Sequence, residues 1–106
     1  MTNERKTVVA VAWYRAKQWQ RLRSVSIDDD DLEDTYEQWL HDAEQKFAEL
    51  SSLGLCAEKV EVDVERLIAW CNEHGLELDG RARSRYVAEK LRQRHESMAE
   101  HRSSVD

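Results

Sequence analysis

Two stretches of this chain read as β-strands, and that shortage constrains the fold more than any other feature. The first is 7–13, where Val8, Val9 and Val11 are β-branched and every residue from Val8 to Trp13 is apolar. Such a run reads as a strand covered on both faces. The second is 57–62, where Val60 and Val62 alternate with Lys59 and Glu61, leaving one face wet. Two strands make a poor sheet alone. Either Leu76-Glu77-Leu78 adds a third short strand, or a second copy of the chain supplies further edges. Four tryptophans among 106 residues are many for so small a core, which favours a homodimer.

The rest of the chain has helical spacing. Over 15–25, Ala16, Trp19 and Leu22 recur at three-residue steps among Arg15, Lys17, Gln18, Gln20, Arg21 and Arg23. A longer helix is predicted over 29–53. Asp28 suits its N-cap, accepting from the Asp31 amide, and Ile27 and Leu32 have hydrophobic-staple spacing. Asp29, Asp30, Asp31 and Glu33 then crowd the positive end of the helix dipole. Leu32, Tyr36, Trp39, Leu40, Ala43, Phe47 and Leu50 form one apolar stripe. Gly54 ends the helix in a Schellman pattern, with Leu55 folding back onto Leu50. Asp63 caps a third helix over 64–74, whose apolar face is Val64, Leu67, Ile68 and Cys71. Gly75 and Leu76 repeat the Schellman arrangement. A last helix is predicted over 81–97, with Tyr86, Val87, Leu91 and Met98 facing inward, and the residues after about 100 fray. The order β-α-α-β-α-α makes one small α+β or α/β domain over 1–106. Its ordered core covers about 7–97, around a minimal two- or three-stranded sheet.

Charge is unevenly spread. Residues 1–23 carry a net +5, residues 24–80 a net −14 and residues 81–106 a net +3. A compact fold can set the basic ends against the acidic middle, or present a dipolar surface to a charged partner. The longest apolar run, Val8–Tyr14, is far short of the roughly 20 residues a spanning helix needs, and it has no signal-peptide flanks. No membrane partner is expected. Cys56 and Cys71 sit among apolar neighbours and read as core thiols of a reducing compartment, so the cytoplasm is the expected location.

Few constellations could carry chemistry. The run Asp28–Asp31 is no calcium loop, because the fifth, sixth and twelfth positions are Leu32, Glu33 and Trp39. Cys71 and His74 have C-x-x-H spacing, but structural zinc wants four ligands, and Cys56, His95 and His101 would have to complete the set by folding. No metal or other cofactor is expected. No nucleophile elbow or glycine-rich phosphate loop occurs, so no catalytic residue is nominated. Arg81, Arg83, Arg85, Arg92 and Arg94 in the last helix could meet nucleic-acid phosphates. The acidic total, −6, works against that attraction. Tryptophan is enriched at binding hot spots, and Tyr14, Arg15, Gln18 and Trp19 make the best candidate for a partner-facing cluster.

The stretch Val-Ala-Trp-Tyr-Arg-x-x-Gln-Trp (11–19) resembles a group of short uncharacterised bacterial proteins. So do 31–39, Leu-Ile-Ala-Trp-Cys (67–71) and Asp-Gly-x-Ala-Arg-Ser-x-Tyr (79–86), so that the likeness spans roughly 7–93. The resemblance implies a complete, intracellular bacterial chain and no activity, cofactor or catalytic residue. The expected role is therefore a non-catalytic protein acting through protein contacts, as a homodimer or an accessory subunit. The alternatives are a nucleic-acid-associated regulator using Arg81, Arg83, Arg85 and Arg92, and a small hydrolase-type enzyme.

Overall fold

The two expected strands pair in parallel. The computed structural model describes the backbone of residues 8–103 and the side chains of residues 8–97; Thr7, at the start of the first expected strand, lies outside these, as does the side chain of Met98. Strand β1 (Val8–Trp13) and strand β2 (Cys56–Glu61) run in unbroken register, from Val8 opposite Cys56 to Trp13 opposite Glu61. A parallel pair needs a long crossover. Helices α1 (Ala16–Val25) and α2 (Tyr36–Ser52) supply it, and α3 (Val64–His74) and α4 (Gly80–Ser103) follow β2. Among the described residues the fold is α+β, with four α-helices and a sheet of two strands. Leu76-Glu77-Leu78 adds no strand. It is a link whose Leu78 side chain is buried and whose Leu78 carbonyl accepts from the Ile27 amide at 3.0 Å.

Strand alternation sorts the sheet's two faces. Ala10, Ala12 and Val60 lie on the α4 side, where Arg94 and His95 reach across to Glu58 at 3.3 and 3.1 Å. Trp13 and Lys59 lie on the α2 side. There the Trp13 ring sits 5.3 Å from Trp39 and 6.3 Å from Phe47, and the Lys59 ammonium lies 4.2 Å above Trp13. The wet face expected of β2 is thus a lysine laid over aromatic rings.

The expected helix 29–53 breaks in two. Asp29–Asp31 forms one 3-10 turn, the chain runs extended at Leu32, and α2 begins at Tyr36. Thr35 caps α2 in a reciprocal box with Gln38. Asp28 is no N-cap, because its carboxylate is claimed elsewhere: it accepts from the Gly80 amide at 3.0 Å and from Arg83 at 2.9 and 2.8 Å. The Asp31 amide bonds the Asp28 backbone carbonyl instead.

Both glycine stops form as the sequence predicts. Gly54 (φ 82°) and Gly75 (φ 65°) are left-handed. Leu55 donates to the Leu50 carbonyl at 3.1 Å, and Leu76 to that of Cys71 at 2.9 Å, the six-to-one bond of a Schellman turn. Asp63 caps α3 through the amides of Glu65 and Arg66. Helix α4 runs beyond its expected end, with helical backbone to Ser103.

The deepest side chains are Trp19, Leu22, Val64 and Leu67, between α1 and α3. Helix α2 differs: none of its residues is fully buried, and its apolar stripe is covered only in part. Among the described residues no helix is long and apolar enough to cross a membrane.

A candidate protein-interaction edge

In a two-stranded sheet each strand has one bonded side and one open side. In a parallel pair, alternate residues turn both backbone groups toward the neighbour and the residues between turn theirs away. The Trp13 carbonyl accepts from the Val62 amide at 3.0 Å, which phases β1. Val9, Val11 and Trp13 therefore serve β2, while Val8, Ala10, Ala12 and Tyr14 point outward. At Tyr14 the outward carbonyl accepts from the Tyr36 hydroxyl at 3.0 Å. Among the described residues, Ala10 and Ala12 find no such partner.

These outward groups lie along a cleft. Beside Ala10, Ala12 and Tyr14 is a pocket of about 380 Å³, walled by Trp39, Asp42 and Ala43 of α2 and by Arg83, Ser84 and Val87 of α4, with Glu33 at its rim. A second pocket of about 440 Å³ continues past Ala10 to Val8, between Ala88, Leu91, Arg92 and His95. Small residues (Ala10, Ala12, Ala43, Ser84, Ala88) keep the strand reachable between the two helices. A strand edge flanked by helices is the geometry of strand addition, in which a peptide backbone completes the ladder.

The two open edges differ in chemistry. β1 carries no charged residue, proline or glycine, whereas β2 carries Glu58, Lys59 and Glu61. Charge on an edge strand deters pairing, and an uncharged edge invites it. The sequence contains this contrast, but the pairing of these two strands with each other, which leaves each with an open edge, is not written in local pattern.

The cluster nominated from sequence is placed as follows. Tyr14 and Trp19 are core, at 4% and 1% exposure. They belong to an aromatic group around Trp39, whose ring centre lies 5.4 Å from Tyr14, 5.5 Å from Trp19 and 5.4 Å from Tyr36. Burial pushes the Tyr14 hydroxyl up to about 12. Gln18 reaches across to accept from the Val64 amide at 2.7 Å, helping to cap α3. Arg15 is exposed and forms a two-pronged pair with Glu61 at 3.1 and 3.0 Å. The four side chains are neighbours in sequence, but in the structure they share no single surface.

The arginines of α4 also divide. Arg81, Arg85 and Arg92 fall within about 40° of one another around the helix, all exposed. Arg85 lies over the Trp70 ring at 5.7 Å, and Arg92 pairs with Glu96 at 2.8 Å. Arg83 lies on the opposite side, held by Asp28 and by the Ser26 hydroxyl at 3.1 Å. Its guanidinium keeps the Asp28 carboxyl below the usual carboxylate range.

The remaining polar candidates have local roles. Cys71 is buried on α3, where burial pushes its thiol up. The His74 ring stacks on Trp70 at 4.3 Å and donates from Nδ1 to the Trp70 carbonyl at 2.8 Å. His95 meets Glu58; Cys56 is half-buried in β2, and the His101 side chain lies outside the described residues. Comparison of the chain with protein-family models, with curated proteins and with solved structures finds no match in any of the three.

Proposed function

We propose that this protein is a non-catalytic interaction module that takes an extended segment of a protein as a further strand on β1. The observation that carries this reading is the outward pair Ala10 and Ala12, whose backbone groups face the cleft between α2 and α4. Affinity would come from the ladder, and selectivity from the pockets along it. Two free thiols suit work in a reducing compartment, the cytoplasm.

The test is a peptide selection read by NMR. Peptides selected from a random library should shift the Ala10 and Ala12 amide resonances, and Ala10→Pro should weaken them at least tenfold by removing an outward donor. Selected peptides that leave both resonances in place would refute the reading. A second reading, contact with nucleic-acid phosphates, draws on the exposed stripe Arg81, Arg85 and Arg92. It requires duplex binding that weakens steeply with salt and with Arg81→Ala, and an affinity indifferent to salt excludes it.

A further inference from the structure

Resting on strand addition at β1, we infer that the incoming segment is basic at one end of the cleft and apolar at the other. A Lys or Arg side chain enters the pocket beside Trp39, Asp42 and Glu33. A bulky apolar side chain from the same face of that strand enters the pocket beside Val8, Ala88 and Leu91.

The two pockets share Ala10 but differ in charge. Trp39, Asp42 and Ala43 stand at i, i+3 and i+4 on α2, so an indole and a carboxylate share one helix face. Glu33 comes from the chain just before α2. Among the described residues neither Glu33 nor Asp42 enters an ion pair. The base that lines the same pocket, Arg83, is already spent on Asp28. An adjoining pocket sets Glu37 and His41 beside the same two carboxylates.

A second feature points to a ligand at this end. Tyr14 lines the pocket and is only 4% exposed, and among the described residues its hydroxyl has no hydrogen-bond partner. A hydroxyl lone pair, two carboxylates and an indole are the acceptors that an ammonium or guanidinium group takes. The chain builds one such contact internally, where the Lys59 ammonium lies 4.2 Å above the Trp13 ring.

The other end of the cleft has its charges paired. Arg92 holds Glu96 and His95 meets Glu58, which leaves Val8, Ala88 and Leu91 as an apolar floor. The charge contrast between the two ends therefore selects the segment. Side chains on one face of a strand recur every second residue, about 7 Å apart. The levels of Ala12 and Ala10 are two residues apart and those of Ala12 and Val8 four, so the basic and apolar residues of the segment are separated by two or four positions.

Selection from a random peptide library tests this, with the Ala10 and Ala12 amide resonances marking the edge. Peptides that shift both should be enriched in Lys or Arg, with a bulky apolar residue two or four positions away. Exchanging that basic residue for Glu should weaken a selected peptide at least tenfold, and so should Glu33→Lys combined with Asp42→Lys in the protein. The Glu-bearing peptide should regain most of its loss on the doubly substituted chain, which also shows that this variant still folds. Peptides that shift Ala10 and Ala12 without a basic preference, or that are indifferent to both reversals, overturn the inference and leave strand addition standing. Odd spacing of the basic and apolar residues, which places them on opposite faces, overturns it too. Peptides that bind without moving Ala10 and Ala12 refute both readings.

Discussion

Among the described residues the least exposed ion pair is Asp28–Arg83, whose side chains are only 19% and 12% exposed. The carboxylate takes two guanidinium bonds and one backbone amide, so little of its hydrogen-bonding capacity is left unmet. Removing one partner strands the other, which costs about 3–5 kcal/mol at a buried pair. Arg83→Met should therefore cost about 3 kcal/mol in urea unfolding, and Asp28→Asn a similar amount. A cost under about 1 kcal/mol would place the pair among surface ion pairs. Because the folded-state pKa of Asp28 is lowered, its stabilisation is complete above the unfolded value near 4 and disappears as pH falls through the folded value. Tyr14 works in the opposite direction. Its folded-state value is raised to about 12, so its contribution is complete below pH 10 and is lost as pH rises toward 12. Tyr14→Phe should flatten that alkaline limb in pH-dependent unfolding, and an unchanged slope would count against a buried, neutral hydroxyl. The sequence shows Asp28 beside an amide it could cap. It does not show an arginine 55 residues away that competes for the same oxygens.

Among the elements, the helices were the most legible in the sequence. Their apolar spacing and glycine stops are local signals, and α3 follows its expected bounds from cap to glycine. At Gly75 no atom lies within 4 Å of an added Cβ, yet φ is +65°. The cost of Gly75→Ala is thus conformational, about 1 kcal/mol by thermal unfolding. Gly80 opens α4 with no positive φ, and its added Cβ would meet only ordinary contacts at 3.5 and 3.6 Å. Gly80→Ala should be close to neutral. Equal losses at both positions would mean that something other than backbone geometry sets the cost. The sequence places the start of α2 too early, because four successive aspartates resemble an acidic first turn. The Thr35–Gln38 box, which closes both ends of its reciprocal bond, outcompetes them. Strand direction was not legible, since neither β1 nor β2 carries a local mark of the neighbour it pairs with. The cluster Tyr14, Arg15, Gln18 and Trp19 was legible as unusual. Its aromatic members proved to be packing, because a ring-rich segment at a strand end suits a core as well as a surface.

For the whole molecule, the governing feature is a sheet too small to hide its own edges. Trp39 gathers Trp13, Tyr14, Trp19 and Tyr36 around one end of β1. The rest of α2 leaves its apolar stripe half-covered. Trp39→Ala should accordingly cost about 3–5 kcal/mol in chemical denaturation, although Trp39 itself is only half-buried, because it is shared by so many rings. The functional account depends on the open side of β1, and residue-resolved amide hydrogen exchange reads it most directly. In the free chain, Val9, Val11 and Trp13 should be protected through β2 while Ala10 and Ala12 exchange orders of magnitude faster. At peptide saturation that alternation should vanish. Ala10 and Ala12 already as protected as Val11 in the free chain would mean that the edge is closed and that no strand can join it.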